Sequence, residues 1–365
     1  MKILITTGIY PPDIGGPATY SKLLYDKLPE RGIEVEILSF GEVRNLPKII
    51  RHFVYFLKIL KRARKVDIIY AQDPVSVGMP TMLANKILKK RFLIRIAGDY
   101  AWEQGVQRFG VKDNLDVFSV KEKGYGFSVG FLKMIQKAVA WSAEKVIVPS
   151  HYFKRVIINW GIDSNKIIPI YNGIELNESK VHKVHKVESK VLLSVGRLVP
   201  WKGFDVLIET MPDILKEIPN LKLKIVGGGP QKEELEKIIE RLGLDENVIL
   251  TGPVSRDELL DLKKNSDIFV FNTNWESFSF DTIEAMNLKL PVIATNVGSL
   301  PELIQNDMDG ILIEPNNKKQ IISAVNKIIR NDEFRNKIVI NAFNKSQKFS
   351  IENTISNLEK ILKEQ

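Results

Sequence analysis

Short apolar runs alternate with longer amphipathic stretches along nearly the whole chain. Ile3 to Thr7 is the first such run, and its continuous apolar character predicts a strand buried on both faces. A glycine- and proline-rich loop from Gly8 to Pro17 follows, then an amphipathic helix over about 18–28. The same reading predicts strands over 34–40, 67–72, 92–97, 146–149 and 167–170. It then predicts a second series over 191–195, 221–226, 248–250, 267–272, 291–294 and 311–313. Helical periods fall between them, among others at 47–65, at 131–144, after a capping Ser150 and after Phe204, and the tail from 317 is helical. Strands alternating with helices in this way predict α/β architecture with parallel, doubly wound sheets. A chain of 365 residues fits two such domains. The polar, aromatic-poor stretch 176–190 reads as the linker between a first domain, 1–175, and a second, 191–345. A last helix, 346–365, is free to pack back on the first domain. His182 and His185 in the linker read as solvated, with no third metal ligand nearby. Residues 104–130 show little periodicity and read either as a mobile acceptor loop or as a long surface excursion.

The helix over 47–65 stands apart. Ile49, Phe53, Phe56, Leu57 and Leu60 share one face, Lys48, Arg51, Lys58, Arg62 and Lys65 the other, and no acid occurs between Glu42 and Asp67. Two readings are open: a core stripe under a solvated basic face, or a helix resting on anionic lipid headgroups. Charge sharpens the choice. The chain carries a net +9, but residues 1–175 hold 27 Lys and Arg against 16 Asp and Glu, a net +11, leaving −2 for the remainder. The first half therefore faces something anionic, nucleic acid or a lipid surface. No basic surface interleaved with aromatics supports nucleic acid. Zero cysteines exclude disulfides and thiolate metal sites and fit a reducing, cytoplasmic setting, with the inner face of a membrane as the place of any peripheral attachment. No apolar run is long enough to span a bilayer, and the start of the chain reads as a buried strand, not a leader.

The chemistry gathers where strands end. Gly15-Gly16 opens the first helix, although not with dinucleotide-fingerprint spacing. In the second half, Gly196-Arg197 to Lys202-Gly203, Gly227-Gly228-Gly229 and Gly252-Pro253-Val254 each follow a strand. Glycines let backbone N–H groups approach phosphate oxygens, and Arg197 and Lys202 add positive charge. Glu276 sits in a loop and Glu284 in the helix after it, in the stretch Glu276-Ser277-Phe278-Ser279 to Glu284. Such a pair either grips a ligand rich in hydroxyls or is a cap acid plus a surface acid. Asp99, after the strand over 92–97, is either a site acid or a turn aspartate.

Taken together, Gly196-Arg197-Leu198 with Lys202-Gly203, Gly-Gly-Gly-Pro at 227–230, Glu276 and Glu284 with Pro291-Val292-Ile293-Ala294 resemble family 4 glycosyltransferases. Gly15-Gly16, Val148-Pro149-Ser150, Tyr171-Asn172-Gly173 and Leu300-Pro301-Glu302 match in the same order. The resemblance implies a GT-B fold, two Rossmann-like domains facing a central cleft, and a retaining, metal-independent sugar transfer. The co-substrate would be a nucleotide-diphosphate sugar, with no further cofactor, and the acceptor a glycan or a lipid-linked glycan. It implies that Arg197 and Lys202 hold the diphosphate, Glu276 the sugar and Glu284 the ribose. Gly16 would contact phosphate, with Gly228 and Val254 near the nucleotide. The sequence departs from the family pattern in having Ser277, Ser279 and Lys289 where glycines are frequent. It also has Ala97 where a histidine is frequent, which makes Asp99 a candidate replacement. A sugar-nucleotide 2-epimerase of the same fold and a non-catalytic sugar-nucleotide binder are the competing functions.

Overall fold

The structure, a computed structural model, describes residues 1–13, 15–176 and 190–364, so the linker expectation lies almost wholly outside the described residues. The chain divides into two compact units, Met1–Asn172 with the segment from Glu352 onward, and Gly173–Ile351.

The first unit is built on β1 (Lys2–Thr7), β2 (Glu34–Ser39), β3 (Ile68–Ala71), β4 (Arg91–Arg95), β5 (Lys145–Val148) and β6 (Ile167–Pro169). They form one parallel sheet in the order β2-β1-β3-β4-β5-β6. Ile3, Leu4 and Ile5 are wholly buried, as the unbroken apolar run requires of a central strand. The connections β2 to β3, β3 to β4 and β4 to β5 all step the same way across the sheet. Right-handed crossovers therefore put their helices on one face. The helix Ile351–Lys363 contributes to this unit from the far end of the chain. Thr354 donates to the Tyr171 carbonyl at 2.8 Å, and the Arg91 guanidinium donates to the carbonyls of Ile361, Leu362 and Glu364 at 3.1, 2.9 and 2.7 Å. A cation on orphan C-terminal carbonyls also complements the helix dipole.

The second unit holds β7 (Val191–Val195), β8 (Lys222–Val226), β9 (Val248–Gly252), β10 (Ile268–Phe271), β11 (Val292–Thr295) and β12 (Ile311–Ile313). This sheet is also parallel, in the order β12-β11-β10-β7-β8-β9. Strand order reverses between β7 and β10, so the loops leaving these two strands diverge and leave a crevice at their C-terminal ends. The core beneath is Leu192, Ile225, Val270 and Ile293 against Phe204, Leu207 and Met211 of the helix Phe204–Glu217.

Two expectations change. Residues 104–130 are not a structureless loop. They carry the end of the helix Tyr100–Arg108, the helix Leu115–Val120 and the start of Gly126–Ser142, which begins five residues ahead of its expected position. The first two are short and locally capped, and short capped helices show little period in sequence: Asp99 and Asn114 accept from Trp102 N and Val117 N at 3.0 and 2.9 Å. The helix over 47–65 forms as Lys48–Ala63, but its buried side chains are Tyr55, Ile59 and Ala63, while Phe53 and Leu57 face outward. Lys58 and Arg62 are not free on a basic face either, since both pair with Glu42, at 2.7 and 2.9 Å.

Candidate active site

The loops that leave β7 and β10 flank the switch point of the second unit and are pinned together at their bases. Gly203 ends a single 3-10 turn, Pro200–Lys202, in the left-handed region at φ 59°. A Cβ at Gly203 would stand 2.4 Å from the Asn272 carbonyl oxygen, so only glycine brings this turn against the end of β10. The close approach is fastened from the other side. Asn272 donates to the Gly203 carbonyl at 2.9 Å, and Thr273 donates to the Trp201 carbonyl at 3.0 Å. Lys202 is thereby held with its ammonium 2.7 Å from the Glu276 carboxylate and 4.4 Å from the centre of the Phe271 ring. The other Glu276 oxygen accepts from Phe278 N at 3.2 Å, and Ser299 N donates to the Glu276 carbonyl at 3.0 Å. Arg197 is exposed and has no ion-pair partner among the described residues. A cation and an anion, both little exposed and each the other's partner, thus sit at a crevice mouth with a second cation beside them on the same loop.

The three glycine turns have a partly different cause from the one read in the sequence. A Cβ on Gly227 would lie 2.0 Å from the Gly196 carbonyl oxygen, and one on Gly229 2.3 Å from that of Leu198. These two glycines let the loops after β7 and β8 pack backbone to backbone, with Leu198 N donating to the Gly228 carbonyl at 3.0 Å. Gly228 itself has only Pro253 near its Cβ position, at 3.1 Å, and Val254 is half-buried just beyond.

Glu284 lies on the helix Phe280–Asn287, almost wholly buried, at the centre of an ionic cluster that residue types alone did not reveal. Its two oxygens meet Arg256 at 2.5 Å and Lys263 at 2.6 Å, and Lys263 also reaches Asp281 at 2.7 Å. Lys263 is 0% exposed. Burial opposes the charge on Arg256, but the Glu284 carboxylate outweighs it and raises the guanidinium pKa further. Asp281 stood in the stretch singled out above. Lys263 and Arg256 belong to a helix, Arg256–Lys264, whose alternating charges look like an ordinary solvated surface. Ser279 and Phe278 prove structural in their side chains. Ser279 caps the Glu284 helix, accepting from Thr282 N at 3.1 Å, and the Phe278 ring packs edge-on against Phe280 and Phe349. Ser277, also buried, completes the stretch. Lys289 stands in the left-handed region at φ 58°, one residue past the cap of that helix, which is why glycine is the natural occupant of the position.

In the first unit, Gly15 is the N-cap of the helix Gly16–Lys27, which begins at Gly16 with Pro17 next. Asp99 must be corrected. It is 0% exposed, and one oxygen accepts from Trp102 N at 3.0 Å and from Gln136 at 2.9 Å. Burial raises its pKa, against the opposing pull of the Gln136 and Trp102 hydrogen bonds and of Lys133. A carboxylate with no exposed surface, one oxygen of which caps its own helix, has a framework role in this structure.

Two parallel six-stranded sheets with their flanking helices are the architecture of the GT-B fold, and comparison with known proteins supplies the enzyme class. Residues 177–345 match the model for glycosyl transferases group 1, and residues 14–178 match that for glycosyltransferase family 4. The chain belongs to this family of transferases. It is 29% identical, over 94% of its length and 92% of the other, to an uncharacterised glycosyltransferase of Methanocaldococcus jannaschii. A 149-residue stretch, 39% of each chain, is 31% identical to the GDP-mannose-dependent alpha-(1-6)-phosphatidylinositol monomannoside mannosyltransferase of Mycobacterium tuberculosis. Among solved structures, HepE of Anabaena in complex with UDP and glucose superposes with a TM-score of 0.80 at 20% identity, covering 100% of both chains.

Proposed function

We propose that the protein is a retaining, metal-independent glycosyltransferase that moves a hexose-type sugar from a nucleotide-diphosphate donor to a glycan or lipid-linked acceptor in the building of cell-surface glycan. The observation that carries the reading is the Lys202–Glu276 pair, 2.7 Å apart at the switch point with Arg197 beside it. In transfer, the bond between the sugar anomeric carbon and the diphosphate oxygen breaks while the acceptor oxygen bonds the same face of that carbon. The acceptor proton passes to the leaving diphosphate. Negative charge grows on the phosphate, and Lys202, held in place, stabilises it together with Arg197 on the same loop. Glu276, released from Lys202 by the donor, accepts from sugar hydroxyls, and Glu284 accepts from the ribose. A hydrolase would need an acid and a base flanking the bond, and Glu284, almost wholly buried between Arg256 and Lys263, is not available as the second of such a pair.

The sugar-nucleotide donor draws support from the UDP-bound neighbour, and the lipid-linked acceptor from the activity of the mycobacterial relative. The basic excess of the first unit suits an anionic membrane surface, at the inner face of a cytoplasmic membrane. The test is incubation with a panel of sugar nucleotides and a membrane lipid extract, following nucleoside diphosphate release and labelled glycan. Acceptor-dependent release with retained anomeric configuration is expected. Epimerised sugar nucleotide formed without acceptor, or binding without turnover, would refute it.

A further inference from the structure

Three helices of the first unit, Lys48–Ala63, Gly78–Leu88 and Gly126–Ser142, cross over between consecutive parallel strands and lie side by side on one face of the sheet. Each buries one face, and each carries an apolar stripe on the opposite face. On Gly126–Ser142 the inward face is Val129, Lys133, Gln136, Val139 and Ala140, with Lys133 donating to the carbonyls of Phe118 and Lys121. The outward one is Phe127, Phe131, Met134 and Trp141, 88, 47, 57 and 71% exposed. Their spacing of four, three and seven residues puts all four on one helical line. Lys48–Ala63 presents Ile50, Phe53 and Leu57 in the same fashion, and the line runs on into exposed Lys61 and Arg64. Gly78–Leu88 adds Leu83 and Ile87 between them, with Lys86 and Lys89 alongside. Large apolar side chains aligned on three neighbouring helices far exceed the scattered exposure of an ordinary surface.

We propose that this three-helix face is the surface by which the protein sits on an anionic bilayer, its outward aromatics in the acyl boundary and its lysines among the headgroup phosphates. Charge complementarity selects this occupant over a second copy of the chain, which would bring the same cations together. Lys61, Arg64, Lys86 and Lys89 have no ion-pair partner among the described residues, and Lys137 has only the exposed Glu122, at 3.7 Å. A groove of about 460 Å³ between Gly78–Leu88 and Gly126–Ser142 shows the same chemistry at close range. Met82, Ala138 and Trp141 form its apolar wall, and Lys86 and Lys137 its basic rim, the pattern that receives an acyl chain below its phosphate. Trp141 at the rim is the residue type that favours a membrane interface. The proposal rests on the membrane reading given above and places it on named side chains. It does not depend on the transfer chemistry of the second unit.

The test uses the full chain and its own tryptophans. Trp102, Trp160, Trp201 and Trp275 are buried, so Trp141 alone can move from water into lipid. Vesicles of phosphatidylcholine with phosphatidylglycerol are expected to sediment the protein and shift its emission to the blue, with both effects weakened by about 0.5 M salt. Neutral phosphatidylcholine vesicles should bind far less. Trp141→Phe should keep the binding and lose the shift. Phe127→Ser with Phe131→Ser should lose at least about tenfold in vesicle affinity, and Lys86→Gln with Lys137→Gln about fivefold for each charge removed. These positions are exposed or half-exposed, and circular dichroism confirms that the variants fold. Equal binding to neutral and anionic vesicles would overturn the proposal. So would sedimentation without a blue shift, or self-association abolished by the Phe127/Phe131 variant with no vesicle binding. Nucleoside diphosphate release with a water-soluble acceptor, measured in the same samples without lipid, separates the two readings. A chain that transfers sugar but ignores vesicles fails only here, and one that binds vesicles without releasing nucleotide fails only as a transferase.

Discussion

Replacing Lys263 by methionine should destabilise the second unit by about 3 kcal/mol, although the position lies in a helix that reads as surface. The Lys263 ammonium is 0% exposed and bonds Asp281 at 2.7 Å and Glu284 at 2.6 Å. Methionine fills the same volume and adds no polar atom, so the packing term is small and the cost is that of two orphaned carboxylates. Removing one partner of a buried pair costs about 3–5 kcal/mol. Two features keep the figure at the lower end. Asp281 is 29% exposed and takes up water, and Glu284 keeps Arg256 at 2.5 Å. For a domain of 150–250 residues that corresponds to a fall in Tm of roughly 6–12 °C. Urea unfolding followed by tryptophan fluorescence supplies the free energy, and calorimetry supplies Tm. The control is Lys216→Met, whose pairing with Asp213 at 2.7 Å is exposed on both sides and should cost well under about 1 kcal/mol. Adding Glu284→Gln to Lys263→Met should recover part of the loss, because it removes the more buried orphan. A Lys263→Met chain as stable as the parent, or a double variant no better than the single, would refute the assignment of Lys263 as the counter-ion that seats Glu284.

Lys202→Ala should raise the barrier to sugar transfer by about 2–4 kcal/mol, read as kcat, and an unchanged kcat would remove Lys202 from the site. Gly227→Ala should cost more than about 2 kcal/mol in urea unfolding, since its Cβ would meet the Gly196 carbonyl at 2.0 Å. Gly243→Ala, at φ 62° but with open space around it, should cost only about 1–2 kcal/mol of backbone strain. Asp99→Asn should leave transfer activity intact, because the cap oxygen is kept. Burial raises the Asp99 pKa, so folding favours the protonated acid, and the native state loses stability as pH climbs from about 3.8 through the folded pKa. The advantage of Asp99→Asn in urea unfolding should therefore grow over that window, level off above it and vanish below it. An activity loss at constant KM would instead return Asp99 to the reaction.

The central strands β1, β3, β7, β10 and β11 fall on apolar runs, because a strand buried on both faces needs one, whereas the edge strand β2 alternates apolar and polar residues. The Lys202–Glu276 meeting was legible only through the motif order, since 74 residues separate the pair. The roles of Gly227 and Gly229 were half legible. A glycine marks a close approach, but whether the approaching atom is a ligand oxygen or the Gly196 carbonyl depends on which loop lies beside it, and strand order decides that. Lys263 was illegible for a related reason. Its helix begins at a Ser255–Glu258 capping box and carries six charged residues among nine, and only the arrival of the Glu284 helix on one side turns a surface lysine into a buried counter-ion.

The helix Lys48–Ala63 shows the limit most sharply. An apolar stripe in sequence states that one face avoids water, not which structure covers it. Phe53 and Leu57 form such a stripe, yet the sheet takes the face bearing Tyr55, Ile59 and Ala63, whose first member is fixed by a bond from its hydroxyl to the Leu38 carbonyl at 2.8 Å. A helix with two apolar faces has one more than a two-layer packing against a sheet can bury. An outward apolar stripe recurs on Gly126–Ser142, whose aromatics all lie on the exposed side while Lys133 and Gln136 are buried on the other. Exposing large apolar side chains on a soluble surface costs about 25 cal/mol for each Å² left in water, so a repeated excess implies a partner that takes it up. Cations flank both stripes, which is why the partner proposed above is an anionic bilayer and not another protein core.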